Sequence, residues 1–207
     1  MKDLRLRLFL LGILLLWVGW ARALEVTVVR ALDGDTVVLS DGKRLRYAGI
    51  DAPELHRKEG PPEPLAREAW LLNRQLVEGR RLRFEPAARR RDRYGRLLGY
   101  LFLPDGRLVS EVLVSRGLAF ACFWPGAARY REHLLAVQRE ALAKGRGIFG
   151  VLRDTDPYYV GNRASRRFHR PHCPHAQHIR RKILFHSLYE ALYAGYCPAR
   201  GCRPGFP

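Results

Sequence analysis

The chain has 207 residues, 47% hydrophobic and 28% charged, which excludes an acidic disordered chain, a protein with many membrane spans and an assembly of many domains. Lys and Arg number 37 against 20 Asp and Glu, for a formal net charge of +17, and all but five of the basic residues are Arg. Because guanidinium groups bind phosphate oxygens in a bidentate manner, we expect a polyanionic partner, nucleic acid ahead of an anionic membrane surface, although base composition or heat adaptation also enriches Arg.

The first 23 residues have the pattern of an export signal. Lys2, Arg5 and Arg7 precede an apolar run over residues 8–20, and alanines then flank Arg22 as in a cleavage site. A helix of these 13 residues is too short for a hydrocarbon core of about 30 Å. We predict a cleaved signal peptide, export to the periplasm or the extracellular space, and no stable membrane insertion afterwards; an uncleaved anchor is the alternative.

Strands and helices alternate after this segment. Apolar alternation predicts five strands, over residues 26–31, 36–40, 44–50, 81–85 and 97–103. In the third strand, Leu45 and Tyr47 are expected on the buried face, and Arg44 and Arg46 on the outer face. Apolar residues at helical spacing predict three helices, over residues 65–76, from about 109, and over 130–144. The sequence therefore predicts an α+β fold, a five-stranded barrel of the OB type with three helices.

Acidic residues cluster next to two of these strands. Asp33 and Asp35 lie in the turn before the second strand, and Asp51 and Glu54 follow the third. Carboxylates are ligands that Ca²⁺ prefers, and a proline holds the preceding Ala52 extended, which can direct its carbonyl toward the same ion. An Asp-Gly-Asp segment by itself is more often a plain turn, so this pattern alone leaves both interpretations open.

Two arginines add what phosphodiester hydrolysis requires. Arg46 lies five residues before Asp51, and Arg96 ends the basic segment Asp92–Arg96. Such chemistry uses a metal for one non-bridging oxygen, fixed positive charge for the others, and a base for water. The sequence contains candidates for each of these groups.

Residues 25–150 resemble the staphylococcal nuclease (thermonuclease) family. The stretches that carry the resemblance are Asp33–Thr36, Arg46–Glu54, Asp92–Arg96, Gly117–Ala119 and Ala143–Phe149. The resemblance implies a calcium-dependent nuclease with an OB-type barrel and three helices, which cleaves the 5′ P–O bonds of DNA and RNA and leaves 3′-phosphates.

The same resemblance implies which residues bind the metal and activate water. Asp35, Asp51 and the carbonyl of Ala52 are the implied calcium ligands. Glu54 is implied to touch the site through water and is the candidate general base, with water positioning as the alternative role.

The resemblance also implies substrate contacts. Arg46 and Arg96 bind the scissile phosphate and stabilise its transition state, and Tyr94 lies near the substrate phosphate. The family's base-stacking Tyr after Gly-Leu-Ala is absent from this sequence. Phe123 or Trp124 is expected to replace it, since any aromatic face can stack on a base, with core packing as the alternative.

The last 50 residues form a Cys/His-rich region. It holds five of the seven His and three of the four Cys. The stretches Tyr159–Asn162, Phe168–Cys173 and Gly195–Pro198 are similar to the zinc-binding domain of Ada-type DNA repair proteins. The remaining Cys122, outside this region, is expected to be a small buried apolar residue rather than a nucleophile.

The Ada-type resemblance implies a metal site only in part. His169, Cys173 and Cys202 match three of the four ligand positions, whereas the fourth falls on Ala199. Tetrahedral Zn²⁺ needs four ligands, so Cys197 or a neighbouring histidine would have to substitute. A disulfide from Cys197 to Cys202 or Cys173 is the alternative in an oxidising compartment.

The chain is thus predicted to have four parts: a signal peptide (1–23), a nuclease domain (24–152), a linker (153–157) and a small Cys/His module (158–207). We predict a secreted, Ca²⁺-dependent endonuclease that acts on DNA and RNA. The C-terminal module is a candidate site for Zn²⁺, and no protein partner is predicted. The alternative is a noncatalytic nucleic-acid-binding OB-type protein that acts in DNA capture or uptake.

Overall fold

The computed structural model describes residues 24–57, 60–124 and 129–206. The predicted signal peptide lies outside these residues. Over the described ranges, no helix combines the length and the apolar character needed to cross a membrane. The strands of the first region are β1 (Leu24–Ala31), β2 (Thr36–Leu39), β3 (Arg44–Tyr47), β4 (Ile50–Asp51), β5 (Arg81–Arg91), β6 (Leu97–Phe102) and β7 (Phe120–Ala121). Its helices are α1 (Ala66–Val77), α2 (Val109–Ser115), α3 (Arg131–Ala143) and α4 (Ile148–Val151).

Five of these strands close into a barrel in the order β1, β2, β3, β6 and β5. Neighbouring strands are antiparallel except for β3 and β6, which are parallel. The predicted α+β fold with a five-stranded OB-type barrel is confirmed, and the three predicted helices correspond to α1, α2 and α3. The barrel core is formed by buried aliphatic side chains, among them Val28, Val37, Leu45, Leu101, Leu113 and Leu134.

One strand is longer than the sequence indicated. β5 runs on to Arg91, which pairs with Leu97 of β6 after an irregularity in register. The basic segment Asp92–Arg96 is therefore the turn between two barrel strands. Gly95 in this turn has a φ of +78°, a conformation that glycine adopts without steric cost.

A two-stranded sheet lies beside the barrel and contains Asp51, one of the predicted metal ligands. It pairs β4 with β7 in antiparallel fashion, so that Asp51 lies opposite Phe120. Cys122 follows β7 directly in the sequence. The position of Asp51 is thereby linked to the segment that carries this cysteine.

The C-terminal module, residues 158–206 as described, has a four-stranded sheet in the order β10, β8, β9, β11. Its elements are β8 (Tyr159–Asn162), β9 (Arg167–His169), α5 (Pro174–Gln177), β10 (Lys182–Phe185), α6 (Leu188–Tyr193) and β11 (Cys197–Pro198). β11 pairs with β9 in parallel, with Cys197 opposite Arg167.

The module and the barrel region share a hydrophobic core. Phe120, Phe149 and Leu152 from the first region pack in one cluster with Phe168 and Leu188 from the module. Most of the predicted linker, residues 153–157, is exposed, but its first residue is attached to the module, since the N–H of Arg153 donates to the carbonyl of Gly205 at 2.8 Å. The segment between the two regions is therefore not a free tether.

A disulfide between Cys122 and Cys197 joins the two regions, with a Cα–Cα distance of 5.5 Å. This corrects the expectations for both cysteines. Cys122 is buried as predicted, but it is bonded rather than a simple apolar residue. Cys197 pairs across the interface rather than with Cys173 or Cys202, because β7 and β11 lie next to each other when the module docks.

Candidate active site

The carboxylates of Asp35 and Asp51 converge on one guanidinium. Arg46 of β3 binds Oδ1 of Asp35 through Nη1 and Oδ1 of Asp51 through Nη2, the latter at 2.6 Å. All three residues are buried: Asp35 is 2% exposed, Asp51 is 5% exposed and Arg46 is 7% exposed. Arg46 lies on the strand face opposite the core residues Leu45 and Tyr47, as predicted, but this face is covered by the two acids and by the ring of Trp124, whose centroid lies 5.7 Å from Cζ of Arg46.

The turn that carries the first two acids is tightly held. The N–H of Asp35 donates to Asp33 Oδ1 at 2.9 Å, and the N–H of Ala52 donates to Asp35 Oδ2 at 3.0 Å. Burial, followed by the nearby carboxylate of Asp35, raises the pKa of Asp33 to about 7. Burial and the carboxylate of Asp35 therefore both favour the neutral form of Asp33.

Gly34 makes this close approach possible. A Cβ atom at this position would lie 2.6 Å from Cβ of Ala52 and 2.8 Å from Cβ of Ala69. Both distances are below any ordinary carbon contact. The turn can bring Asp35 to Ala52 only because residue 34 has no side chain.

The donor set of this cluster fits a hard divalent cation. Carboxylate oxygens of Asp35 and Asp51 both accept hydrogen bonds from the Arg46 guanidinium, and the N–H of Ala52 donates to the carboxylate of Asp35, so the two carboxylates lie close together. Ca²⁺ and Mg²⁺ prefer such ligands.

Arg96 is oriented by an acid within its own turn. Its Nε donates to Asp92 Oδ2 at 2.7 Å, while Asp92 Oδ1 accepts the N–H groups of Tyr94 and Arg96 at 2.9 and 3.0 Å. Burial opposes ionisation of Asp92, but these bonds outweigh it and lower its pKa. Tyr94 is 67% exposed, with its ring centroid 5.5 Å from Cζ of Arg96.

A groove of about 470 Å³ runs between the barrel and the module. Among the described residues that line it, one is acidic, Asp92, and six are arginines: Arg46, Arg89, Arg93, Arg96, Arg167 and Arg200. Tyr94 and Trp124 supply aromatic surface. An opening with this charge is suited to the phosphates of a nucleic acid.

The module contributes two arginines to the acid cluster. Arg167 Nη1 lies 2.8 Å from Asp51 Oδ2, and Arg200 Nε lies 3.3 Å from the same atom. Arg200 also contacts Asp51 Oδ1 and Glu54 Oε1. Burial disfavours the charge of Asp51, but Arg200, Arg167 and Arg46 outweigh it and hold its pKa far below the ordinary value.

Comparison with known proteins identifies the first region. A model described as staphylococcal nuclease homologue matches residues 44–150. The chain belongs to this family. It is similar to the thermonuclease of Staphylococcus hyicus, with 34% identity over 128 residues, covering 59% of this chain and 75% of that protein. An uncharacterized endonuclease of Escherichia coli O157:H7 is 35% identical over 134 residues, or 63% and 78% of the two chains. Endonuclease YncB of Bacillus subtilis (strain 168) is 39% identical over 102 residues, or 47% and 48%.

Family membership makes this chain a nuclease, a hydrolase whose substrate is nucleic acid. The groove brings together Arg46, Arg96, Tyr94 and Trp124 from the predicted set. Phe123 does not line the groove: it is buried in the barrel core, so it offers no free face to a base.

Arg167 and Arg200 were not predicted as residues of this site. Their contacts with Asp51 span 116 and 149 residues of sequence. Only the docking of the module brings them there, and neither lies in a motif of the nuclease family. The excess of arginine over the whole chain was the one sequence feature that indicated further phosphate-binding residues.

A second cluster in the nuclease lies within the module. His169, Cys173 and Cys202 bring their ligand atoms within 4.8 Å of one another. His169 Nδ1 is 3.5 Å from Cys173 Sγ and 3.3 Å from Cys202 Sγ. Cys197 was predicted as a fourth member, and this is wrong because its sulfur is bonded to Cys122. Ala199, at the remaining position, is buried and offers no side-chain ligand.

Proposed function

We propose that this nuclease is exported, uses Ca²⁺ held by Asp35 and Asp51, and hydrolyses phosphodiester bonds of DNA and RNA to leave 3′-phosphates. The observation that carries the proposal is the junction of Asp35, Asp51 and Arg46. It joins a cluster of buried oxygen donors to the arginine-rich groove, so a cation and a phosphate could be bound side by side. Membership in a nuclease family favours this function over noncatalytic DNA capture.

The proposed metal ligands are those that the family resemblance implies. Asp35 and Asp51, whose carboxylates converge on one guanidinium, would hold the ion, and the carbonyl of Ala52 would be the third ligand. A bound Ca²⁺ neutralises charge on a non-bridging phosphate oxygen. The same two carboxylates outweigh the cost of burying Arg46 and raise the pKa of its guanidinium, so Arg46 remains a permanent hydrogen-bond donor.

The remaining groups act on the phosphate and on water. Arg46 and Arg96 donate to non-bridging oxygens and stabilise the charge that grows in the pentacoordinate transition state. Glu54 accepts a proton from the water that attacks phosphorus. The bond from phosphorus to the 5′ oxygen breaks, and solvent protonates the leaving oxygen.

Aromatic residues position the bases beside this phosphate. The exposed ring of Tyr94 stands next to Arg96, and Trp124 stands next to Arg46. Stacking of a base on an aromatic side chain contributes about 1 to 3 kcal/mol and tolerates any base. This arrangement favours a nuclease with little sequence preference.

Export has independent support from the disulfide. Cysteines pair stably in the periplasm and outside the cell, whereas the cytosol keeps thiols reduced. Cys122 and Cys197 are 75 residues apart and join two regions of the fold. N-terminal sequencing of the protein recovered from outside the cytoplasm tests the cleavage after residue 23, and recovery of the intact N-terminus contradicts it.

We further propose Zn²⁺ at the cluster of His169, Cys173 and Cys202. Imidazole and thiolate are the ligands that zinc prefers. Three protein donors leave one position for solvent or for His175, whose ring centroid lies 6.4 Å from that of His169. The role is structural, since the cluster holds β9 to the chain after β11.

Digestion of plasmid DNA and RNA by the mature chain tests the nuclease proposal. We expect cleavage with Ca²⁺, none with a chelator, and 3′-phosphate ends on the products. The Arg96→Ala variant is expected to be at least about a hundredfold slower, the usual effect of losing one transition-state donor. Cleavage that a chelator does not affect, or products with 5′-phosphates, would contradict the proposal.

A further inference from the structure

Two side chains of the module reach the acids of the barrel region across the groove. Arg167 comes from β9 and Arg200 from the turn after β11, and both contact Asp51. Both also line the groove that contains Arg46 and Arg96. The module thus forms one wall of the space in which the proposed reaction takes place.

The fold fixes these two arginines relative to Asp51. Asp51 pairs with Phe120 across β4 and β7, and Cys122, two residues further on, is bonded to Cys197. Cys197 in turn lies opposite Arg167 in the β9–β11 pairing. A short path of strand pairing and one disulfide therefore leads from the acid to the arginine.

Further contacts fix the position of the module beside the groove. Arg167 Nη1 donates to the carbonyl of Pro198 at 3.0 Å, which ties the side chain to β11. Arg203 forms an ion pair at 2.7 Å with Glu63, and the N–H of Glu54 donates to Glu63 at 2.7 Å. The segment that bears the candidate base is thus attached to the module as well.

The charges of the cluster leave room for an anion once a cation is bound. Three carboxylates, from Asp35, Asp51 and Glu54, form ion pairs with three guanidiniums, from Arg46, Arg167 and Arg200. The formal charge of this set is zero. A divalent cation would make the set positive, and phosphodiester groups would balance that charge. With carboxylate oxygens engaged by a cation, the module arginines are left to pair with an anion in the groove.

We propose that Arg167 and Arg200 are substrate-binding residues that hold phosphates of the nucleic-acid strand beside the scissile one. The inference rests on the proposed nuclease function and assigns the C-terminal module to the substrate site. Arginine binds phosphate through two parallel hydrogen bonds, and six arginines along one groove exceed what a single diester can engage. The favoured substrate is therefore a strand of several nucleotides.

The opposite role for these contacts is self-inhibition. If Arg200 persistently occupied Asp51 and Glu54, it would exclude the cation and tie up the base. The two roles predict opposite effects of removing the side chain. Substrate binding predicts weaker binding of DNA, whereas self-inhibition predicts faster cleavage and a lower Ca²⁺ requirement.

Equilibrium binding gives a readout that does not depend on turnover. Binding is measured in the Arg96→Ala protein, whose slow cleavage leaves the probe intact. The probe is a labelled single strand of twelve nucleotides, and its fluorescence anisotropy is recorded with Ca²⁺ and with chelator. Adding Arg200→Ala is expected to weaken binding about tenfold with Ca²⁺ and to reduce the slope of log K against log salt by about 1. Arg180→Ala, which removes the same charge from an exposed position of the module outside the groove, is the matched control, expected to change binding less than about twofold.

Kinetics on two substrates separates the subsites. In the otherwise wild-type protein, Arg200→Ala is expected to raise KM on the twelve-nucleotide strand about ten times more than it raises KM on a dinucleotide with one diester, whereas the Arg180→Ala control is expected to change neither value. Arg167→Gln is a second variant, whose side-chain amide can still donate a hydrogen bond to the carbonyl of Pro198. Faster cleavage by Arg200→Ala, or equal binding by the Arg200 and Arg180 variants, overturns the inference.

The two proposals fail in distinguishable ways. If the wild type binds DNA through Arg200 but does not cleave it, the phosphate subsites stand and the nuclease function fails. If the wild type cleaves DNA with Ca²⁺ and the Arg200 variant matches the Arg180 control in binding and KM, the nuclease function stands and the phosphate subsites fail.

Discussion

Cys122 and Cys197 form a disulfide that joins the barrel region of a nuclease to its C-terminal module. Cys197 lies opposite Arg167, and Arg167 contacts Asp51, so the covalent bond lies next to the proposed metal site. The module therefore lies against the candidate active site, as the proposed role of its arginines requires. Loss of this bond is expected to affect both stability and substrate binding.

The Cys197→Ser variant tests the disulfide. Opening a link between residues 75 positions apart is expected to lower the free energy of unfolding by about 4 kcal/mol, because the unfolded chain regains conformational entropy. Denaturant unfolding of the oxidised wild type and the variant measures this difference. A reducing agent is expected to destabilise the wild type but not the variant, and equal sensitivity of both contradicts the assignment.

The Arg46→Ala variant tests the charge balance at the metal site. Without the guanidinium, Asp35 becomes a buried acid without an ion pair, which typically costs about 3 to 5 kcal/mol, while Asp51 keeps its contacts with Arg167 and Arg200. In a chelator we expect a markedly lower melting temperature than for the wild type. Ca²⁺ is expected to restore more stability to the variant than it adds to the wild type. An equal calcium effect on both proteins would show that the cation does not bind beside Arg46.

The Gly34→Ala variant tests the tight approach of the first acid turn. The added methyl group would overlap Ala52 and Ala69, so the turn must move and carry Asp35 away from the site. We expect at least about a tenfold loss of apparent Ca²⁺ affinity in calorimetry. Ala52→Gly in the same chain removes one of the two overlaps and is expected to recover part of the loss. Normal affinity in Gly34→Ala contradicts this role.

Asp92→Asn tests how Arg96 is oriented. Asparagine keeps the acceptor for the backbone N–H groups but loses the charge that holds Nε of Arg96. We expect kcat to fall about tenfold while the fold is retained. Because the pKa of Asp92 is lowered, its contribution to stability is complete above pH 3.8 and is lost only as the pH falls further. A kcat equal to that of the wild type would show that Arg96 needs no such partner.

Metal analysis tests the cluster in the module. We expect one zinc per chain in the purified wild type and none in Cys202→Ser. The Cys202→Ser protein is also expected to unfold at a lower temperature, since zinc binding contributes to folding. Wild-type protein without zinc and with Cys173 and Cys202 oxidised to each other contradicts the proposal.

Local patterns predicted the barrel well. Alternation located β1, β2 and β6 within a few residues, because one face of each strand is buried in the core, and helical spacing located α1, α2 and α3. The predicted strand over residues 44–50 is divided into β3 and β4, and β5 runs six residues further than predicted. The burial of Arg46 was not predicted because it comes from ion pairs and not from hydrophobicity. The disulfide and the roles of Arg167 and Arg200 depend on contacts across 75 to 149 residues, which local sequence does not encode.

The calcium dependence of DNA hydrolysis tests the central claim most directly. We would measure the initial rate against Ca²⁺ concentration for the wild type, for Asp51→Asn, and for Asp41→Asn, an exposed acid in the turn between β2 and β3, as the control. The wild type and the control are expected to share one dependence that a chelator abolishes, while Asp51→Asn needs at least about ten times more Ca²⁺ or is inactive. Equal rates for all three proteins, or hydrolysis that persists in the chelator, would contradict it.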